Sequence, residues 1–394
     1  MKILQVIPYF DWSYGGPVKV VYDISKELAK NGHEVTIYTT DVGRNGRIKN
    51  EDRINFVNNN IKVRYFNCVN NYFANSLKIH ISPDMLKNIR NNINDFDIIH
   101  LHEWRSIPHI YIWYYAKKLG IPYILQAHGA SPTIIGHQKT SLTISKLTFD
   151  SIIGNKIVKD ASKFIALTNT EKAKYLDFGV PENKIEIIPN GINLDEFEDM
   201  PKKGKFRVKY EIPKKDIMIL FLGRLDSTKG LDLLIEAFMD FLCNFKNSKL
   251  VLIGPDYGYK ATLINKINNL KIKDNVIFIG PLYDTDKFNA YIDADIFVTP
   301  RFYGFPMTFV ESCIFGTPII TSDKEDNLEW INNKVGFVTK YEKTAIKDAM
   351  LKIIKNDKLR QEFSENGIEL VKNELNWSKI VKRLEKIYEE SYEK

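Results

Sequence analysis

Residues 217–238 read IMILFLGRLDSTKGLDLLIEAF. The apolar run at its start has the composition of a strand buried on both faces. Gly223 ends the run, Arg224 follows at once, and Lys229-Gly230 opens a helix. A strand, a short turn and a helix make the unit from which parallel sheets are built. Two cations and a helix N-terminus at one strand end also suit a diphosphate, because side-chain charge and free backbone N–H groups both favour an anion there. A solvated loop is the plainer alternative.

The same alternation extends outward in both directions. Downstream, the apolar runs KLVLIG, NVIFIG, DIFVTP, PIITS and GFVT are separated by helical patterns. Upstream the runs are KILQVIP, HEVTIYTT, IKVRYF, DIIHLH, PYILQAH, KFIALT and KIEIIP, with VKVVYDISKELAKNG repeating Val20, Ile24 and Leu28 at helical spacing. Two such series imply an α/β protein with two doubly wound, Rossmann-like domains. A chain of 394 residues is long enough for both. The boundary is expected within the polar stretch 190–216, giving domains 1–190 and 191–374. Beyond GFVT the chain reads as helical, and 375–394 is expected to be a terminal helix covering its own domain or packing toward the first.

Composition excludes several classes. With 44% hydrophobic and 27% charged residues and no low-complexity tract, the chain is globular. No run approaches the roughly 20 apolar residues of a membrane span. The start, MKILQVIPYF, lacks a signal-peptide pattern, so a cytoplasmic location is expected. Cys68, Cys243 and Cys313 are widely spaced and read as reduced core thiols. Through Asn190 there are 24 Lys+Arg against 17 Asp+Glu, and beyond it 32 against 32, so the whole net charge of +7 belongs to the first half. That excess is either solvated lysine or a surface for an anionic partner, such as the inner face of a membrane, a lipid phosphate or a charged glycan. Scattered lysines without an aromatic-basic motif argue against nucleic acid.

Ligands of open parallel sheets bind beyond the carboxyl ends of the strands, so the residues after each run matter most. The first run leads to Gly15-Gly16-Pro17 before a helix, either a tight turn or a close-approach loop for an anion. His128-Gly129 ends PYILQAHGA; His128 is either a hydrogen-bonded structural residue or a site residue. His100 and His102 are read as facing opposite sides of their strand and as structural. Pro255 follows Gly254, and Leu282 follows Gly280-Pro281, in two more strand-end turns. Three Asp-x-Asp triplets, Asp95–Asp97, Asp284–Asp286 and Asp293–Asp295, fall before strands or in a loop, and none is assigned a metal.

Residues 301–320, RFYGFPMTFVESCIFGTPII, turn through Tyr303-Gly304-Phe305 into a short helix with Pro306 at its first position. The amides of Met307, Thr308 and Phe309 would then be free. Glu311 is a lone carboxylate one turn in, suited to vicinal hydroxyls such as those of a ribose, or merely to the helix dipole.

These elements, in order GGP, NGHEVTIYT, HGA, KIEIIPNGINLDEF, GRLDSTKGLDLLIEAF and GFPMTFVESCIFGTPII, resemble glycosyltransferase family 4 over nearly the whole chain. The resemblance implies a GT-B fold, two Rossmann-like domains facing across a cleft, the first holding the acceptor and the second the nucleotide sugar. It implies retaining, metal-independent transfer of a hexosyl unit from a UDP- or GDP-sugar to a glycan or lipid-linked acceptor, with no cofactor. By the same resemblance Arg224 and Lys229 neutralise the leaving diphosphate, Glu311 holds the ribose, and His128 lies near the sugar. Gly15, Gly16, Gly223, Pro255, Leu282, Gly304, Phe305 and the amides of 307–309 line the donor. The family's first glutamate, eight residues before the second, is Tyr303 here. A phenol is neutral near pH 7 and cannot serve as a carboxylate nucleophile. Its sugar contact would fall to Tyr303 itself or to amides around Gly304 and Phe305. The competing readings are a catalytically silent nucleotide-sugar-binding protein of the same fold and a nucleotide-sugar epimerase; the quoted motifs are the transferases'.

Overall fold

The computed structural model describes residues 1–44, 46–57, 60–77, 79–129, 148–197, 200–325 and 328–393. The chain forms two compact units, one of residues 1–190 with 377–394 and one of residues 191–376.

The first unit is built on seven parallel strands: β1 (Lys2–Tyr9), β2 (Glu34–Thr40), β5 (Ile61–Phe66), β6 (Ile98–His102), β7 (Tyr123–Gln126), β8 (Lys163–Ala166) and β9 (Ile185–Ile187). Their order is β5-β2-β1-β6-β7-β8-β9. The chain reverses its winding between β1 and β6, which places the first sheet's crevice beyond Tyr9 and His102. Alternation explains why the strands read as unbroken apolar runs. Ile3 and Ile7 enter one buried layer and Leu4 and Val6 the other, all fully buried. A small hairpin, β3 (Val42–Gly43) with β4 (Gly46–Arg47), lies apart from the sheet.

The helix Trp377–Tyr392 belongs to this first unit. Ile380, Val381, Leu384, Ile387 and Tyr388 share a core with Val20, Ile24 and Leu28 of helix Gly16–Lys30. Burying each such side chain contributes about 1.5–3 kcal/mol. Polar contacts fix the register: the Trp377 indole donates to Asp23 at 3.0 Å, and Asn31 donates to Glu385 at 2.8 Å. The unit boundary falls after Asn376, two residues beyond the expected one, because the Ile192 amide donates to the Leu375 carbonyl and keeps that segment with the second unit.

The second unit has six parallel strands: β10 (Ile217–Leu222), β11 (Ser248–Ile253), β12 (Val276–Ile279), β13 (Ile296–Thr299), β14 (Ile319–Ser322) and β15 (Gly336–Thr339). They run in the order β12-β11-β10-β13-β14-β15, so this sheet reverses between β10 and β13. Gly254 is required by close approach: a Cβ there would stand 1.9 Å from the Gly223 carbonyl oxygen. Cys68 and Cys313 are buried, but Cys243 is exposed just past the helix Leu231–Leu242 and is not a core thiol.

Candidate functional site

At the second sheet's reversal, β10 delivers Arg224 and β13 delivers Arg301 and Tyr303 to one end. Asp226 shapes the turn after β10, accepting from the Thr228 amide at 2.8 Å. Lys229 ends a 3-10 turn, and Gly230, at φ +70, precedes the helix that begins at Leu231, one residue later than expected. A Cβ at Gly230 would meet the Tyr341 hydroxyl at 2.9 Å, so that glycine is needed by the fold.

Three cations gather here. The Lys229 ammonium lies 5.7 Å from the Tyr303 ring centroid, and the Arg301 guanidinium lies 5.1 Å from the same centroid. Tyr303 therefore offers its negative ring face to two cations. Arg224 lies 5.1 Å from the Tyr257 ring and 3.4 Å from Asp226, with its side chain 49% exposed. Burial and then the Arg224 charge lower the Lys229 pKa, with Arg301 adding to the effect. Burial alone would raise the Asp226 carboxyl, but hydrogen bonds from Thr228 and the charges of Arg224 and Lys229 bring it below the usual value. Arg301 is held by Glu325 at 2.5 Å. Neither Arg301 nor Glu325 was singled out from the sequence. Mutually repelling cations with partial exposure form a site that an anion stabilises.

The helix Met307–Ile314 starts beside this cluster. Pro306 occupies the cap, not the first helical position. The Phe309 amide donates to the Pro306 carbonyl at 3.0 Å and its side chain is buried, so it offers nothing outward. Among the described residues, the Met307 and Thr308 amides have no backbone acceptor. Gly304 takes φ +65, and Phe305 stacks on Trp330 at 5.9 Å, fixing the turn.

Glu311 is not solitary. Lys287 donates to it at 2.7 Å and the Tyr291 hydroxyl at 3.0 Å, leaving the side chain 15% exposed. Lys287 and Tyr291 stand four residues apart on helix Asp284–Asp293, a spacing legible in the sequence but not used. An ionised carboxylate has about four acceptor positions, so both oxygens keep capacity for a diol. Two nearby turns close on each other: the Leu225 amide donates to the Pro255 carbonyl at 2.9 Å, and Gly223 donates to Ile253 at 2.9 Å. Leu282 is half-buried beyond β12.

The Asp-x-Asp triplets have other work. Asp293 accepts from the Arg207 amide at 3.1 Å and Asp295 from its guanidinium at 2.9 Å. Asp97 accepts from the Lys2 amide at 2.7 Å. Asp284 and Asp286 lie in the first turn of a helix rather than in a loop. Among the described residues no group of three His, Cys, Asp or Glu side chains could hold a metal.

In the first unit, Gly15 takes φ +77 ahead of helix Gly16–Lys30. Nothing in the chain stands within 4 Å of a Cβ built on Gly16, and its φ is ordinary, so the fold does not require glycine there. His128 follows β7 at φ +52. Glu171 holds the loop by accepting from the Gly129 amide at 2.9 Å and the Leu167 amide at 2.7 Å. Ala130, the last residue of the HGA motif, lies outside the described residues. His100 and His102 do not face opposite sides. Residues two apart in a strand share a face, and their rings stand 4.1 Å apart. His102 Nδ1 lies 2.8 Å from His128 Nε2, so the two buried rings are bound into one polar group with the half-buried His128.

The model of glycosyltransferase family 4 matches residues 14–196, and that of glycosyl transferases group 1 matches residues 202–370. The chain belongs to glycosyltransferase family 4. Among this family member's relatives is a phosphatidyl-myo-inositol mannosyltransferase of Mycobacterium leprae, 25% identical over 81% of the chain and 80% of the relative. An uncharacterized glycosyltransferase of Methanocaldococcus jannaschii is 25% identical over 98% of both chains. The fold is shared with sucrose-phosphate synthase from Thermosynechococcus elongatus, at TM-score 0.78 and 19% identity over 99% and 98% of the two chains. It is shared equally with an Anabaena protein solved in complex with UDP, at 0.78 and 16% over 99% and 100%. The family member therefore has the GT-B fold, and its class of chemistry is glycosyl transfer.

Proposed function

We propose that this glycosyltransferase moves a hexosyl unit from a UDP- or GDP-sugar to a glycan or lipid-linked acceptor, with retained configuration, in the synthesis of surface polysaccharide or glycoconjugate. The observation that carries this reading is the gathering of Arg224, Lys229 and Arg301 where the second sheet reverses, beside the open amides of Met307 and Thr308. As the glycosidic C–O bond breaks, charge grows on the leaving diphosphate, and preplaced cations and amides stabilise it at that moment. Arg224, Lys229 and Arg301 supply the positive charge, two of them oriented by Asp226 and Glu325, and the reading assigns this work to side chains in place of a metal. Glu311, oriented by Lys287 and Tyr291, accepts from the ribose hydroxyls. In the first unit, the space around Gly16 suits backbone approach to an anion, and His128 offers its ring to a substrate hydroxyl. The neutral phenol of Tyr303 rules out a carboxylate nucleophile at its position. The acceptor hydroxyl attacks from the face the diphosphate leaves, and a phosphate oxygen of the leaving group takes its proton.

A thermal-shift screen against UDP, GDP, ADP and dTDP tests the donor assignment. The matching nucleotide at about 100 times its Kd adds about 2.7 kcal/mol, which raises Tm by several degrees. Shift without release of free nucleoside diphosphate in any acceptor mixture would instead favour the silent binding protein.

The basic first unit is proposed to rest on the inner face of an anionic membrane. An excursion after β5 exposes Val69, Tyr72, Phe73, Ile79 and Ile81. Val69 donates to the Ile81 carbonyl at 2.8 Å and Ile79 to that of Phe73 at 3.4 Å, which holds them in one patch. Arg47 touches the Cys68 carbonyl at its edge. Among the described residues no helix is long and apolar enough to cross a membrane. Flotation with anionic vesicles that weakens in Tyr72→Ser and at high salt is expected; flotation indifferent to lipid charge would dismiss the contact.

A further inference from the structure

Buried polar atoms in the first unit form one continuous chain from the last helix to the end of β7. Tyr388 OH lies 2.8 Å from His100 Nδ1 and 3.4 Å from Gln5 Nε2. Gln5 Oε1 lies 2.5 Å from His102 Nε2, and His102 Nδ1 lies 2.8 Å from His128 Nε2. At its two ends, His100 Nε2 and His128 Nδ1 are buried with no partner among the described residues.

Such a chain admits only a few arrangements of its protons. A neutral imidazole carries one N–H and one lone pair, so fixing the role of one nitrogen fixes the other. Burial, first among the causes, holds His100 and His102 well below the ordinary histidine pKa and His128 at about 3, so all three rings are neutral. The Gln5 amide then sets the direction. Its oxygen makes the short contact and accepts from His102 Nε2–H, while its NH₂ group donates to Tyr388 OH, which donates onward to His100 Nδ1. His102 Nδ1 is therefore a lone pair, His128 Nε2–H donates to it, and His128 Nδ1 is left as an acceptor. Turning the Gln5 amide over would reverse every link and convert His128 Nδ1 into a donor.

We propose that Gln5 and Tyr388 are positioning residues that act through His102 to hold His128 in the tautomer whose Nδ1 accepts a hydrogen bond from a substrate hydroxyl. The hydroxyl assignment rests on the transfer reading above; the relay itself does not. Tyr388 contributes from the helix Trp377–Tyr392, which thereby has a task beyond covering the sheet.

The test is ¹⁵N-histidine NMR on the full chain, because protonated and bare ring nitrogens resonate far apart. The wild type is expected to show His128 protonated at Nε2 and bare at Nδ1. Gln5→Met, which keeps the side-chain length and removes the amide, is expected to give a mixture of the two tautomers. Tyr388→Phe, which loses only a hydroxyl, should move His128 in the same direction to a smaller extent. In turnover, Gln5→Met should lower kcat about tenfold with KM for the nucleotide sugar unmoved, as misorientation does. A wild type protonated at His128 Nδ1, or a folded Gln5→Met with His128 unchanged, overturns the relay. If the tautomers behave as expected and no sugar is transferred by the wild type, the relay stands and the transfer reading falls.

Discussion

At the end of the second sheet, Arg224, Lys229 and Arg301 stand with partial exposure around aromatic faces, and burial together with the two arginine charges holds the Lys229 pKa down. At the end of the first sheet, His100 and His102 are enclosed and His128 is half-buried, all three neutral and joined into a chain that carries direction but no charge. The two ends come from the same strand-turn-helix construction. They differ in what each leaves unsatisfied. Clustered cations lower their energy when an anion arrives, whereas the neutral polar chain is satisfied along its length and leaves only its end atoms, His100 Nε2 and His128 Nδ1, without a partner among the described residues. One end is built to receive charge, and the other to orient a group that never ionises.

Removing the cations breaks the contrast most severely. The double variant Arg224→Ala, Lys229→Ala is expected to lose turnover by about 10²–10³-fold with an unchanged circular dichroism spectrum, as removal of preorganised charge does. Near-normal turnover would mean that the cluster does not face the leaving group.

Acid should then separate the two units. Unfolded histidine titrates near 6.5, while His128 is held at about 3, His109 at about 4, and His100 and His102 well below their ordinary value. Below pH 6.5 the unfolded chain binds protons that the folded one refuses, so stability falls as pH falls and has its full value above 6.5. Each such histidine contributes a slope of about 1.4 kcal/mol per pH unit in that window. All four lie in the first unit. Hydrogen exchange at pH 5 should show the first sheet opening while the second sheet stays protected. Equal protection of both sheets would mean that the rings are not enclosed.

The smallest expected change in stability is at Gly16. Gly16→Ala should leave Tm within about 1 °C, since nothing stands near the added methyl. Turnover should nevertheless fall about tenfold if backbone must approach a phosphate there. A loss of Tm in step with turnover would make the loop structural instead.

The strands were legible because each is sandwiched between helices and must be apolar along its whole length, a signal confined to a few adjacent residues. The turn residues Arg224, Lys229 and Tyr303 could be found because sheet topology sends strand ends to one edge. What could not be read were partnerships across the chain. Glu311 looked isolated because Lys287 and Tyr291 precede it by 24 and 20 residues. Arg301 stands two residues from Tyr303 yet gains meaning only from Lys229, which arrives on another strand. Tyr388 and Gln5 lie 383 residues apart, and no local pattern joins them. Two-residue strands such as Val42–Gly43 carry too little sequence to announce themselves.

The helix Trp377–Tyr392 completes the core of the first unit, yet a ribosome makes it only after the whole second unit. Until then Val20, Ile24 and Leu28 have no cover on that side. Domains that finish folding during synthesis bury their apolar surface early. This one must wait, with an open flank to be shielded by chaperones, while the later-made unit folds first. A nonsense codon at position 377 would thus leave the second unit able to mature and the first unit sticky, so that truncation at the end of the chain would be felt at its beginning.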